Sequence, residues 1–179
     1  MIVAFGDSLT AGFGVEPGYS YPDFLQKELD RAGYKWRVVN AGVSGDTTTD
    51  GVNRLGEVLG YKPRVVMVEF GGNDGLRGLP IETTRANLEQ MVTTLKNAGA
   101  TVVLAGMTLP PNYGPEYIRA FERIYVDLAR KYKLVRIPFL LEGVATKGPL
   151  MQRDGLHPTV RGNTIVAETV LHRIEPLLK

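Results

Sequence analysis

Two residue types are scarce enough in this sequence to narrow its chemistry at once. There are three serines, Ser8, Ser20 and Ser44, and two histidines, His157 and His172. A serine hydroxyl becomes a useful nucleophile only when a base takes its proton, so serine chemistry must draw on that short set. Ser8 stands just past an apolar run, in Gly6-Asp7-Ser8-Leu9-Thr10-Ala11-Gly12. A helical turn is expected to begin there, with amide dipoles that favour negative charge. The plain alternative is a helix N-cap, the ordinary use of serine at such a place. His157 lies in a loop stiffened by Pro158, with Asp154 three residues before it. One turn brings that carboxylate to the imidazole, which fixes the proton on Nδ1 and leaves Nε2 free to accept. Taken alone, Asp-x-x-His is equally an Asx-type turn with an incidental histidine. His172 falls on the polar side of the last helical pattern and reads as a surface residue.

A tetrahedral intermediate also needs donors aimed at its oxyanion. Gly45, in Ser44-Gly45-Asp46-Thr47, offers an amide that no Cβ shields. Asn73, in Gly71-Gly72-Asn73-Asp74-Gly75, offers a side-chain amide, and the Ser8 backbone amide is a third donor. Read singly, the glycine-rich stretch at 71–75 is also a tight turn.

The elements that would position these groups follow from periodicity. Short apolar runs at 2–5, 36–40, 64–70, 101–105 and 134–137 read as strands. The run at 64–70 is rich in Val, Met and Phe, as a strand buried on both faces should be. Between them lie helical patterns. Ser20, Pro22 and Asp23 open one that Gly33 closes. A short helix is expected across 48–59, and Leu88, Met91, Val92 and Leu95 mark another. Tyr117, Phe121, Ile124, Tyr125 and Leu128 mark the next, and the last spans about 159–177 with Val166, Val170, Ile174 and Leu177 on its apolar side. Alternating β and α elements predict an α/β fold, a three-layer α/β/α sandwich around a five-stranded parallel sheet in the flavodoxin-like order 2-1-3-4-5. One domain over 1–179 is expected, since domains average ~150 residues. Such sheets bind ligands at the carboxyl ends of their strands, so all four polar segments should open on one edge.

Composition removes several function classes. Lys and Arg total 21 against 19 for Asp and Glu, a net charge of +2. That is too small to imply a nucleic-acid or anionic-membrane partner. No apolar run approaches the ~18 residues of a membrane span. The absence of cysteine excludes disulfides, thiolate metal sites and a cysteine nucleophile. No metal site or cofactor is implied, because the sequence has no His-Glu-x-x-His, Walker or dinucleotide fingerprint.

The order and placement of the four blocks resemble those of the GDSL, or SGNH, serine esterases, over almost the whole length. The resemblance implies that fold, with Ser8 in Gly6-Asp7-Ser8-Leu9 as nucleophile. It implies Gly45 and Asn73 as oxyanion donors beside the Ser8 amide, and Asp154 and His157 as the rest of a triad. Gly71-Gly72-Asn73-Asp74-Gly75-Leu76-Arg77-Gly78 and Leu109-Pro110-Pro111-Asn112-Tyr113-Gly114 resemble segments of the bacterial thioesterase I/lysophospholipase (arylesterase) group. The implied function is hydrolysis of small acyl esters and thioesters, with lysophospholipids among the substrates. Asp7, Leu76, Leu109, Pro110 and Tyr113 are the expected substrate contacts, and Leu79, Ile81, Leu140, Leu141 and Val144 belong to the same apolar wall. A carbohydrate O-acetylesterase of the same fold is the alternative substrate class. A flavin-binding module that holds a phosphate in the loop from Gly6 to Gly12 is the alternative of another class. The resemblance implies a periplasmic or secreted protein, whereas no charged leader precedes residue 2, which fits a cytoplasmic one if the chain is full length. Tyr34, Trp36 and Tyr61 define no dimer face, so a monomer is expected.

Overall fold

A computed structural model describes residues 1–179. Five strands, β1 (Ile2–Gly6), β2 (Val38–Gly42), β3 (Val65–Glu69), β4 (Thr101–Ala105) and β5 (Val135–Ile137), form one sheet in the order β2-β1-β3-β4-β5. Every pairing is parallel, with Ile2 opposite both Val38 and Val65. From β1 the chain winds first to β2 on one side and then to β3 on the other, which opens a crevice at the carboxyl edge between β1 and β3.

Side-chain alternation along the strands builds two cores. Ile2, Ala4, Met67 and Val103 face one side, where α2 (Tyr21–Arg31) and α8 (Val160–Ile174) bury Leu25, Leu29, Val166 and Val170. Val3, Phe5, Val66 and Leu104 face the other. There α6 (Ile81–Asn97) supplies Leu88 and Met91, and α7 (Pro115–Tyr132) supplies Phe121 and Ile124. Each such aliphatic or aromatic side chain contributes about 1.5–3 kcal/mol of burial. Four short helices complete the set: α1 (Ser8–Ala11), α3 (Thr48–Asn53), α4 (Leu55–Gly60) and α5 (Gly72–Leu76). No helix is long and apolar enough to cross a membrane.

Three boundaries differ from the periodicity, each for a physical reason. The second strand runs from 38 to 42 rather than 36 to 40. Gln26 accepts the Val38 amide and donates to the Trp36 carbonyl, while the Trp36 indole donates to the Leu178 carbonyl, which holds residue 36 outside the ladder. The strand continues to Gly42 because no side chain intervenes there; a Cβ would lie 2.2 Å from the Ala11 backbone nitrogen. The helix expected over 48–59 is broken at Arg54, whose φ of −104° and ψ of 14° separate α3 from α4. The last helix stops at Ile174, because Pro176 lacks an amide to continue it, and a 3-10 turn follows (Glu175–Leu177).

Candidate active site

The first loop at the carboxyl edge shows why Ser8 is available. Asp7, not Ser8, caps α1: its Oδ1 accepts the Leu9 amide at 3.0 Å. Ser8 therefore occupies the first helical position, where its own amide has no intrahelical acceptor. Its Oγ lies 2.8 Å from His157 Nε2, and His157 Nδ1 lies 2.6 Å from Asp154 Oδ2. Because an ionised carboxylate only accepts, the network assigns the proton to Nδ1 and makes Nε2 the acceptor of the Ser8 hydroxyl. Asp154 Oδ1 accepts the Leu156 and His157 amides at 2.9 and 3.1 Å, so the Asx turn and the imidazole contact coexist. Burial pulls the Asp154 carboxyl upward, but the bonds from the His157 ring and the two amides outweigh it and hold it below its ordinary value. Gln152 steadies the other side of the ring, its amide donating to the His157 carbonyl and its side chain to the Phe13 carbonyl. The Phe13 ring stands 4.6 Å from the imidazole, centroid to centroid.

Gly45 and Asn73 arrive from the loops after β2 and β3. Gly45 has a φ of +88°, which only glycine adopts without strain. Its amide, like that of Ser8, donates to no protein acceptor, whereas its carbonyl is held by Arg77 at 2.9 Å. Asn73 is in α5, and its Nδ2 donates to the Asp46 carbonyl at 2.9 Å and to Asp7 Oδ2 at 3.2 Å. Asp74 fixes the two loops to each other: buried beneath α5, it accepts the Thr48 amide at 2.9 Å and the hydroxyls of Thr48 and Thr84. Ser8, His157 and Asp154 thus meet in one hydrogen-bonded line, with two unengaged amides and one carboxamide beside it. His172 is exposed on α8. No cluster of three His, Cys, Asp or Glu side chains could hold a metal ion.

A cleft of about 740 Å³ opens over this line. Leu76, Leu109, Pro110, Phe139, Leu141 and Met151 are among its apolar lining. The remaining apolar positions of the sequence reading fall elsewhere. Leu140 and Val144 are fully buried in the core. Tyr113 is outside the lining and braces it, its hydroxyl donating to the Leu76 carbonyl at 2.7 Å; Tyr117 does the same for Leu79. Ile81 packs against the core of its own face. Asp7 reaches the cleft floor, but both carboxylate oxygens are engaged, by the Leu9 amide and Asn73.

Two residues of the site escape pattern reading. Arg54 donates to Asp46 Oδ2 at 2.6 Å and to the Ala41 and Gly6 carbonyls at 3.0 Å each, and lies over the Phe5 ring at 4.9 Å. Nothing in its local sequence marks it. Glu69, at the end of β3, is fully buried. Its signal was present, since a carboxylate inside an otherwise apolar strand is unusual.

Comparison with known proteins converges on one family. The model of the GDSL-like lipase/acylhydrolase family matches residues 4–165. Esterase TesA of Pseudomonas aeruginosa is 43% identical over 178 residues, spanning 99% of this chain and 89% of that protein. Thioesterase 1/protease 1/lysophospholipase L1 of Escherichia coli is 38% identical, over 99% of this chain and 84% of that protein. A crystal structure of TesA superposes with a TM-score of 0.95 at 43% identity, covering 99% of each chain. AlinE4, an SGNH-hydrolase family esterase, superposes with a TM-score of 0.82 at 42% identity, covering 99% of this chain and 96% of that one.

Proposed function

The chain belongs to the GDSL-like lipase/acylhydrolase family, and from that premise we propose that it hydrolyses carboxylic esters and thioesters through an acyl-enzyme on Ser8. It is a hydrolase of small-molecule esters, as are its relatives named esterase, arylesterase and thioesterase. In the first step Ser8 Oγ attacks the carbonyl carbon while His157 Nε2 takes the hydroxyl proton. Asp154 stabilises the resulting imidazolium across the 2.6 Å contact. The carbonyl oxygen becomes an oxyanion facing the Ser8 and Gly45 amides and the Asn73 carboxamide. The tetrahedral intermediate collapses, and His157 gives its proton to the departing alkoxide or thiolate. Water then attacks the acyl-enzyme, with the same base removing its proton and returning it to Ser8.

The observation that carries this reading is the unbroken line from Asp154 through His157 to Ser8, set beside two amides without acceptors. The apolar cleft walls favour alkyl chains over the polyhydroxylated ring of a sugar acetate. Acyl esters and thioesters, including lysophospholipids, are therefore the preferred substrates. The test is labelling by a fluorophosphonate together with hydrolysis of p-nitrophenyl butyrate. Ser8→Ala should abolish labelling and lower kcat by at least ~10⁴-fold, a loss typical of nucleophile removal. A folded S8A protein that still labels would overturn the assignment.

A further inference from the structure

Glu69 is a fully buried carboxyl that the acyl-transfer steps do not use and, unlike the likewise buried Asp74, it has an oxygen with no partner. It sits opposite Gly6 in the β1–β3 register. A Cβ on Gly6 would fall 2.5 Å from Glu69 Oε2, so the glycine makes room for the carboxyl. Oε2 accepts the Asp7 amide at 3.2 Å and the Thr10 hydroxyl at 2.8 Å. Oε1 is buried and has no donor facing it. An ionised carboxylate with one oxygen in that state is costly; a carboxylic acid with its proton on Oε1 is not, provided the proton meets an acceptor. The Asp7 amide bound to Oε2 puts the carboxyl of the same residue next to Glu69, and it is that carboxyl that holds Asn73 at 3.2 Å.

We propose that Glu69 is a positioning residue for the oxyanion hole, which remains a neutral carboxylic acid and donates its proton to the Asp7 carboxylate that holds the Asn73 amide. This rests on the reading of Asn73 as an oxyanion donor. Burial raises both carboxyls, Glu69 further because the Asp7 charge adds to it, so two adjacent buried acids keep one proton between them. Asp7 retains the charge, because the Leu9 amide and Glu69 itself stabilise its ionised form. The consequence for Asn73 is direct. In the resting site both of its amide hydrogens are engaged, by Asp7 and by the Asp46 carbonyl. An oxyanion must draw one of them away. An Asp7 carboxylate with only the Leu9 amide besides Asn73 would grip Asn73 harder and set a less diluted negative charge beside the hole. One that already receives a proton from Glu69 holds Asn73 in place but lends its hydrogen readily.

The experiment is a kinetic double-mutant cycle on the full chain with p-nitrophenyl butyrate, with thermal unfolding checked for each variant. Glu69→Gln keeps an acceptor for Asp7 N–H and Thr10 and a donor for Asp7, so kcat should stay within about threefold of the parent. Glu69→Met keeps the bulk but loses the donor, so kcat should fall about tenfold or more while KM changes less than about threefold. Asn73→Ala should cost ~10²–10³-fold in the parent. In the E69M background it should cost much less, because the donor is already misdirected. If E69M does not fold, Asp7→Asn replaces it in the cycle: it still caps Leu9 but turns an amide toward Asn73, and the same non-additivity is expected. A folded E69Q that loses more than about tenfold, or losses that multiply independently with N73A, would overturn the proposal. An N73A cost below about tenfold in the parent would instead overturn the reading of Asn73 itself.

Discussion

Replacing Arg54 by methionine tests the reasoning about the site where the sequence offered least guidance. Arg54 and Asp46 form an ion pair at 2.6 Å with side chains only 16% and 13% exposed. The same guanidinium donates to the Gly6 carbonyl at the end of β1 and to the Ala41 carbonyl one residue before the end of β2. Methionine keeps the length over Phe5 but leaves the Asp46 carboxylate buried without its cation. Breaking such a pair by removing one partner costs about 3–5 kcal/mol. For a domain of this size each kcal/mol lowers Tm by ~2–4 °C, so about 4 kcal/mol becomes a fall of ~8–16 °C in a circular-dichroism melt. The Arg54→Met, Asp46→Leu double variant replaces both charges with apolar groups and should recover at least ~1.5 kcal/mol relative to the sum of the single losses. Activity should fall as well, by about tenfold in kcat, because Asp46 follows Gly45 and its carbonyl holds Asn73 at 2.9 Å. A Tm within about 2 °C of the parent, or a coupling below ~0.5 kcal/mol, would refute the claim that this pair holds the site together.

Two further outcomes are expected. The Asp154 carboxyl lies below its ordinary value of 3.8 in the folded protein, so its contribution to stability is present above that value and is lost as pH falls through the lower, folded one. The Tm difference between the parent and Asp154→Asn should therefore be full at neutral pH and shrink on acidification; a difference independent of pH would contradict the linkage. Gly42→Ala would push a Cβ to 2.2 Å from the Ala11 backbone nitrogen. No side-chain motion relieves that, so a loss of at least about 2 kcal/mol is expected in denaturant titration, and an unchanged midpoint would show that α1 is free to move.

The groups that meet in the cleft were readable in the sequence because each announces itself locally. Ser8 follows a buried strand, Asp154 and His157 are one turn apart, and Gly45 and Asn73 stand in small, polar loops. Strand order followed from the β-α alternation, and parallel sheets place all such loops on one edge. The supporting groups were harder to see. Asp7 and Ser8 are adjacent and both are good N-caps, so only the backbone geometry shows that Asp7 takes the cap and frees the serine. Tyr113 and Leu109 belong to one loop, yet Leu109 lines the cleft and Tyr113 ties down Leu76 from behind it.

The order of residues along this chain was sufficient to specify the α/β sheet, the edge at which its polar loops gather and the side chains that meet there, because periodicity and turn chemistry act over a few neighbouring positions. Only the folded molecule decided how those side chains are held. The contacts that hold them join residues as far apart as Thr10 and Glu69, Gly6 and Arg54, or Ser8 and His157. Whether a carboxyl keeps its proton, or a guanidinium finds three acceptors, depends on the burial and distances that exist once the chain has closed on itself.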